Sequence, residues 1–393
     1  MMFIIKFYMI KLLSVFDFLL PKWQDYIVFS SFPDFSDNSF ALFVYMANKY
    51  KYKKYIWLVA NKTSKYEKLI DNYVKNDINL QVVKKNSLVG FYYYLISKYV
   101  FFTHGLYPGA FLNQKHIVVN LWHGMPLKNI GYLDSKNSKY IPKSIYAIAT
   151  SNYYKDIIAK SFKMNKNKIL LSGQPRNDFL FLDLEKIKSI IEREFNLKSF
   201  NKVIAWLPTY RESIIGDIRV DGLHYEFIPL FNSNDILQLD KYLKEKNICL
   251  MIKLHPMDSV KRSDFPFMNN IKVVDNNLVE SLHISFYSIL KYTDALITDY
   301  SSVYIDYLLL NRPIGFTISD IKEYNKSRGF VFDDFNEDIL PGNIIKNQNE
   351  FYIFLDSIFD SKELITDINL KNLYNEVKNH NFSKNIVELM EIR

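Results

Sequence analysis

Two histidines lie in turns beside lysines, a pattern suited to proton transfer. His123 stands in the stretch WHGMPLK at 122–128, which ends in Lys128, and His255 follows Lys253 by two positions. An imidazole titrates near neutral pH, so either ring can accept the proton of an attacking hydroxyl. A single histidine more often has a structural role than a catalytic one. Because two histidines occur in similar turns here, the catalytic and the structural interpretation are equally well supported. The sequence leaves open which of the two is the base.

A second group of residues is suited to holding phosphate. The stretch Asp299-Tyr300-Ser301-Ser302 ends an apolar run, and an apolar helix is predicted to begin at Val303. Free backbone N–H groups at a helix start attract phosphate, whereas plain N-capping would explain one of the serines without a ligand. Asp306, one turn into that helix, either reaches a ligand hydroxyl or faces solvent.

Two arginines follow turn-forming prolines. Arg176 comes directly after Pro175, and Arg211 lies three positions after Pro208. A guanidinium group holds two phosphate oxygens with parallel N–H bonds, although an ordinary ion pair accounts equally well for either residue alone. His104, in Phe102-Thr103-His104-Gly105, is a third candidate histidine in a weaker context.

Several familiar site motifs are absent from the sequence. There is no G-x-G-x-x-G, no P-loop, no G-x-S-x-G, no H-E-x-x-H and no D-x-D pair, and Cys249 is the only cysteine. These absences favour a mechanism without a metal and without a cofactor, in which cations and helix ends offset phosphate charge. The chain also has no recognisable nucleic-acid-binding motif, so nucleic acid is not a predicted partner.

Short apolar runs alternate with amphipathic stretches, which predicts βαβ units and a mainly parallel sheet. Strands are predicted at 26–29, 55–59, 99–102, 117–121, 145–149, 169–171, 203–206, 248–254, 271–274, 295–298 and 314–316. Five of them end at the polar stretches 122–128, 173–178, 208–211, 255–256 and 299–302. Ligands bind outside the carboxyl ends of parallel strands, so we expect one interdomain site, to which Lys128, Arg176 and Asp299 are further candidates.

Charge divides the 393-residue chain into two unlike halves. Residues 1–200 hold 29 Lys and Arg against 14 Asp and Glu, a net charge of +15, whereas residues 201–393 carry −7. A basic half favours a polyanion or an anionic membrane surface, unless the whole proteome is basic. We predict an N-terminal domain at 23–198 and a C-terminal domain at 199–393, with C-terminal helices within 370–392.

The first 22 residues form an amphipathic N-terminal segment. The sequence MMFIIKFYMIKLLSVFDFLL is strongly apolar but is interrupted by Lys6, Lys11 and Asp17. A membrane-spanning helix needs about 20 mostly uncharged residues, so spanning is not predicted. The segment is instead predicted to lie on a membrane surface or to pack on the protein.

Taken in order, the five polar stretches resemble those of the CDP-glycerol glycerophosphotransferase family of teichoic-acid and capsule synthesis. The matching residues are Trp122-His123-Gly124-x-Pro126-Leu127-Lys128, Gly173-x-Pro175-Arg176-Asn177-Asp178, Pro208-Thr209-Tyr210-Arg211, Lys253-Leu254-His255-Pro256 and Asp299-Tyr300-Ser301-Ser302 with Asp306. The resemblance extends from about Tyr26 to Phe359. Met125 departs from it, since the family usually has Thr there.

The resemblance implies a GT-B-like α/β fold, with two Rossmann-like domains facing a central cleft. The N-terminal domain would bind the acceptor and the C-terminal domain the CDP-polyol. It implies transfer of glycerol phosphate or a related polyol phosphate from CDP-glycerol or a similar donor, with release of CMP. The acceptor would be polyprenyl-diphosphate-linked or a polyol phosphate. The enzyme would be cytoplasmic and peripheral on the inner face of the cell membrane.

Within this framework we expect the acceptor hydroxyl to attack the β-phosphate, with His123 as the base and His255 hydrogen-bonding the phosphoryl oxygens or the polyol. Exchange of these two roles stays open. The residues expected to bind the donor diphosphate or polyol are Arg211, Lys253, Ser301, Ser302 and Asp306. Two other functions stay open: a GT-B glycosyltransferase that uses a nucleotide sugar, and a non-catalytic membrane-associated protein that binds polyanions. The sequence distinguishes neither glycerol from ribitol nor a primase from a polymerase.

Overall fold

A computed structural model describes residues 2–61, 65–75, 77–113, 115–134, 141–209, 228–255, 260–332, 336–359 and 367–393. The chain forms two units. Unit 1 comprises Met1–Met125, Ile130–Phe181 and Glu376–Arg393, and unit 2 comprises Pro126–Asn129 and Leu182–Asn375.

Unit 1 is built on a seven-stranded sheet in which all neighbours are parallel, in the order β3-β2-β1-β4-β5-β6-β7. Val28, Ile56 and Val100 from adjacent strands are fully buried, as expected where a parallel sheet is covered on both faces. The strands are β1 Trp23–Ser30, β2 Lys54–Val59, β3 Asn79–Lys84, β4 Ser97–Phe102, β5 Ile117–Asn120, β6 Tyr146–Ala149 and β7 Ile169–Leu171. The helices are α1 Met2–Leu13, α2 Asp37–Lys49, α3 Lys65–Tyr73, α4 Leu88–Ile96 and α5 Asn152–Phe162.

Unit 2 repeats this architecture with a six-stranded parallel sheet in the order β10-β9-β8-β11-β12-β13. Its strands are β8 Lys202–Leu207, β9 Ile248–Lys253, β10 Ile271–Val274, β11 Ala295–Thr298, β12 Ile314–Thr317 and β13 Asn343–Ile345. Its helices are α6 Glu185–Phe195, α7 Asp235–Lys246, α8 Asn276–Leu282, α9 Phe286–Leu290, α10 Val303–Tyr307, α11 Ile321–Arg328, α12 Gln348–Ser357 and α13 Ile368–Tyr374. The predicted parallel α/β class is therefore confirmed in both units.

The strand order reverses once in each sheet, between β1 and β4 in unit 1 and between β8 and β11 in unit 2. Loops that leave neighbouring strands in opposite directions open a crevice at such a point. Thr103 and His104 follow β4, and Asp299 follows β11. The fold therefore places polar candidate residues at the switch point of each sheet.

The last helix, α14 (Phe382–Leu389), belongs to unit 1. Its first backbone N–H groups, from Phe382 and Ser383, donate to the two carboxylate oxygens of Asp178 at 2.8 and 3.1 Å. Burial raises the pKa of Asp178 to about 6, against the lowering effect of these hydrogen bonds. Asp178 thus secures the chain end, and the helices predicted within 370–392 are observed as α13 and α14.

The N-terminal helix is held to unit 1 by a buried charge cluster. Asp17, in the 3₁₀ turn after α1, contacts His116 Nε2 at 3.0 Å and the Lys22 ammonium. His116 Nδ1 lies 2.8 Å from the Ser97 carbonyl oxygen. Among the described residues, no helix is both long and apolar enough to span a bilayer. The contacts of Asp17 therefore tie the turn after α1 to unit 1.

Candidate functional site

His123 follows β5 in unit 1 and is held by two neighbouring residues. Its side chain hydrogen-bonds the backbone of Thr103, an interaction that raises the pKa of the imidazole and so identifies the Thr103 carbonyl as acceptor. Its ring stacks on that of His104, with centroids 4.3 Å apart and planes 11° apart. One nitrogen of a neutral His123 ring therefore carries the donated hydrogen, and the other holds a lone pair.

The His123 imidazole is neutral near physiological pH. Burial lowers the pKa of His123 to about 3, and His104 and Arg176 act in the same direction, while Asp37 and the Thr103 hydrogen bond oppose it. The side chain nevertheless keeps solvent-exposed surface. A neutral imidazole with solvent access is the form that a general base requires.

The backbone around His123 is fixed by buried polar residues at the start of α2. Asn38 Nδ2 donates to the carbonyls of Leu121 and Trp122 at 3.0 Å each, and Asn38 Oδ1 accepts from the backbone N–H of Arg176 at 3.0 Å. Arg176 Nη1 donates to the His123 carbonyl at 2.8 Å. It also pairs with Asp37 at 3.1 Å. Asn38 and Asp37 belong to no recognised motif, so the sequence did not identify them as site residues.

Two lysines and a histidine of unit 2 lie near the end of β9. Burial lowers the pKa of Lys253 to about 8, and the Lys253 ammonium donates to Asn276 Oδ1 at 2.7 Å. His255 keeps solvent-exposed surface, and its pKa is lowered to about 4 by burial and by the positive charges of Lys128 and Lys253. We call Lys128, Lys253 and His255 the cation cluster. It is suited to binding a diphosphate.

Lys128 belongs to unit 2, although His123 of the same motif belongs to unit 1. The backbone of segment 126–129 pairs with that of residues 329–331. Val331 N donates to the Leu127 carbonyl at 3.0 Å, and Lys128 and Phe330 form an antiparallel β-bridge. Gly329 has φ +65°, a backbone conformation that residues with a Cβ rarely adopt, so this turn favours glycine. The Lys128 ammonium lies 5.1 Å from the centroid of the Tyr324 ring.

The loop after β11 combines solvent-accessible serines with two buried carboxylates. Ser301 and Ser302 are half-buried, and Ser301 Oγ accepts from Val303 N at 3.4 Å, which is a long cap. Asp299 is fully buried and accepts from Thr209 N and Thr209 Oγ1 at 3.0 and 2.9 Å. Asp306 is also fully buried and accepts from the Tyr287 hydroxyl at 2.6 Å. The serines are therefore the accessible part of this motif.

Arg211 and Pro256 lie outside the described residues. Within the described ranges, no group of three or more His, Cys, Asp and Glu side chains is placed to hold a metal ion.

A family model described as CDP-glycerol:poly(glycerophosphate) glycerophosphotransferase matches residues 12–391. The chain belongs to this family. The resemblance inferred from the five polar stretches is confirmed, as is the predicted enzyme class, a glycerophosphotransferase.

Curated relatives of this glycerophosphotransferase act in teichoic acid synthesis. The chain is 26% identical over 399 residues to the teichoic acid poly(glycerol phosphate) polymerase of Bacillus spizizenii, covering 94% of this chain and 93% of the relative. It is 27% identical over 351 residues to the teichoic acid glycerol-phosphate transferase of Staphylococcus aureus, covering 84% and 82%.

Solved structures share the fold of this family member. The wall teichoic acid polymerase TagF superposes with a TM-score of 0.71 at 24% identity, covering 94% of this chain and 89% of that one. A UDP-GlcNAc 2-epimerase from Neisseria meningitidis gives a TM-score of 0.53 at 15% identity, covering 94% and 99%. At these identities the likeness establishes the fold, and the predicted GT-B-like class is confirmed.

Proposed function

We propose that this chain transfers glycerol phosphate, or a related polyol phosphate, from a CDP-activated donor to the hydroxyl of a lipid-linked or polymeric acceptor. The observation that carries the proposal is the His123 imidazole, which is neutral, solvent-accessible and held with one nitrogen directed at the Thr103 carbonyl. Its second nitrogen is then suited to take a hydroxyl proton.

In the proposed reaction the acceptor oxygen attacks the β-phosphorus of the donor. A new oxygen–phosphorus bond forms, and the bond from the β-phosphorus to the bridging oxygen breaks, so CMP leaves. The acceptor's hydroxyl proton passes to His123. Lys128 and Lys253 of the cation cluster offset the charge that develops on the diphosphate, while the neutral His255 ring, Ser301 and Ser302 hydrogen-bond its oxygens.

The buried polar residues receive positioning roles in this proposal. Asp306 is expected to hold Tyr287 in place, and Asp299 to shape the Thr209 loop, since both carboxylates are fully buried against these partners. Arg176 is expected to fix the His123 backbone. Arg211 keeps the role of a donor-binding candidate on its motif alone.

CDP-glycerol is the donor that we favour. The H444N variant of TagF has been solved after a soak with CDPG, and relatives are named for glycerol phosphate and for ribitol phosphate. Unit 2 is the proposed donor-binding unit because it holds the cation cluster, and unit 1 the proposed acceptor-binding unit. The acceptor class is a polyprenyl-diphosphate-linked saccharide or a polyol-phosphate chain.

A donor panel tests the reaction. Purified protein is incubated with CDP-glycerol, CDP-ribitol, CMP-sialic acid or UDP-sugars, together with a lipid-linked acceptor carrying a short polyol phosphate. We expect CMP release from a CDP-polyol and a product longer by polyol-phosphate units in mass spectra. UDP release from a UDP-sugar would instead support a glycosyltransferase. Polymer binding with no nucleotide released from any donor would support the non-catalytic alternative.

We further propose that unit 1 binds an anionic bilayer surface through the N-terminal segment. The buried Asp17 cluster fixes the inner side of this segment, while its outer side exposes apolar side chains, and Leu12 and Leu19 are 67% and 79% exposed. Such a patch is typical of an interfacial helix, and the basic first half favours anionic lipid. The other exposed members are Tyr8, Val15 and Phe18.

Flotation with anionic liposomes tests membrane attachment. We expect the wild type to float and a Leu12→Ser, Phe18→Ser, Leu19→Ser variant to remain in the pellet fraction, because these side chains touch the bilayer and not the core. Phe267→Ser removes a still more exposed ring, 90% exposed, from unit 2 and should leave flotation unchanged because it lies outside the N-terminal segment. Equal recovery of wild type and triple variant would contradict the proposal.

A further inference from the structure

Thr103 and His104 are consecutive residues that both contact His123, at the switch point of the unit 1 sheet. His104 Nδ1 lies 2.9 Å from Thr103 Oγ1, and Thr103 is fully buried, so one edge of the His104 ring is tied to a rigid strand end. One face of the ring stacks on His123, and the edge-on ring of Phe32 lies 5.9 Å away. The His104 ring is therefore fixed by three neighbours.

The two residues constrain different degrees of freedom of His123. The Thr103 carbonyl fixes where the imidazole N–H points. The His104 ring, nearly parallel to that of His123, fixes the plane in which the second nitrogen lies. Trp122 contacts the same imidazole at 4.1 Å between centroids, with planes 33° apart. Together these contacts restrict the direction of the lone pair.

We propose that His104 is a positioning residue for the general base, which holds the plane of the His123 ring and opposes a second positive charge beside it. This inference rests on the proposed function, in which His123 is the base. His104 itself need not touch substrate. Its role is to keep the base in one orientation and in its neutral form, since small misplacements of a reacting group are costly.

The surrounding charges set the direction of the pH effect. His104 and Arg176 lower the pKa of His123, and Asp37 raises it. Burial lowers the pKa of His104, Lys85 and Arg176 lower it further, and Asp37 opposes them. Removing the His104 ring removes one repulsive charge, so His123 is expected to accept a proton at a higher pH. The reaction needs neutral His123. As the pH is lowered, the rate of the variant would therefore begin to fall at a higher pH than the rate of the wild type.

The test compares His104→Ala, which removes the ring, with His104→Phe, which keeps a flat ring without charge. We expect kcat of the Ala variant to fall about tenfold or more, with the KM for CDP-glycerol changed less than about twofold. The Phe variant should recover most of kcat above neutral pH, with the acid limb of its profile moved to higher pH. His283→Asn, a histidine change in unit 2 at a position with φ +53°, is the control and should be unchanged.

An NMR titration of the His123 ring in the full chain gives a readout that needs no turnover. A higher pKa of His123 in His104→Phe shows that His104 acts on the His123 ring and supports the proposal. Wild-type turnover of His123→Asn would instead remove His123 as the base and overturn the proposed function, and the positioning role with it. Loss of activity in His123→Asn, together with wild-type kcat, pH profile and His123 titration in His104→Phe, would overturn it. If the Ala variant melts at a lower temperature, the Phe variant alone decides between these outcomes.

Discussion

Replacing His123 by Asn is expected to lower kcat by about 10²–10⁴-fold while leaving the KM for the CDP-polyol nearly unchanged. The expectation follows because the change removes the proton acceptor from unit 1 and leaves the cation cluster of unit 2 intact. Asn keeps an amide N–H that can reach the Thr103 carbonyl, so the loop after β5 should stay in place. CMP release measured against donor concentration separates the two parameters.

Donor binding provides the companion measurement for this variant. Calorimetric titration with CDP-glycerol should give a similar Kd for wild type and His123→Asn, and the His283→Asn control should match the wild type in both assays. Turnover of His123→Asn within about threefold of the wild type would exclude His123 as the base, because loss of a general base costs far more. His255, in the cation cluster, would then be the remaining histidine of the motif set.

Several strands could be predicted from the sequence because most of their residues are apolar. The runs at 169–171, 271–274 and 295–298 match the observed strands to the residue. The two strands that sequence analysis missed, Asn79–Lys84 and Asn343–Ile345, are the outermost members of their sheets. Each begins with an exposed asparagine, Asn79 or Asn343, and is short or largely polar, so its pattern does not stand out from a loop. The other two edge strands, β7 and β10, were found because their residues are mostly apolar.

Helix α4 was missed for a different reason. Its sequence, LVGFYYYLI, is apolar at every position, so it shows no 3.6-residue period. In the structure Phe91 and Leu95 are buried while Leu88 and Tyr92 are exposed. The helix thus has a buried and an exposed face, but both faces carry apolar side chains. Ser87 begins it by accepting from Gly90 N at 3.0 Å, a local signal that the apolar run obscured.

Some features of the candidate site could be predicted from sequence motifs, whereas others depend on the sheet topology. His123 and His255 stand in recognisable stretches, so sequence alone found them. The partnership of His104 with His123 depends on β4 lying beside β5 in the sheet, and the separation of the 122–128 stretch into two units depends on the pairing of 126–129 with 329–331. Neither arrangement has a signature within a single stretch of residues.

Replacing Lys128 by Met is expected to weaken binding of CDP-glycerol about tenfold to hundredfold, since a hydrogen bond to a charged group contributes about 1.5–3 kcal/mol. Met keeps an unbranched side chain of similar length and removes the ammonium, together with its contact to the Tyr324 ring. Because Lys128 lowers the pKa of His255, the variant should also raise that pKa. Calorimetry measures the first effect and NMR titration of the His255 ring the second.

The control for this change is Lys168→Met, which removes a lysine whose ammonium lies 4.8 Å from the Tyr146 ring in unit 1. It should leave both donor affinity and the titration of His255 as in the wild type. Lys128→Met and His123→Asn alter the same short motif, yet the first should act on donor affinity and the second on kcat. If Lys128→Met kept wild-type affinity and only lowered kcat, Lys128 would have to act with the acceptor, and the cation cluster would be Lys253 and His255 alone.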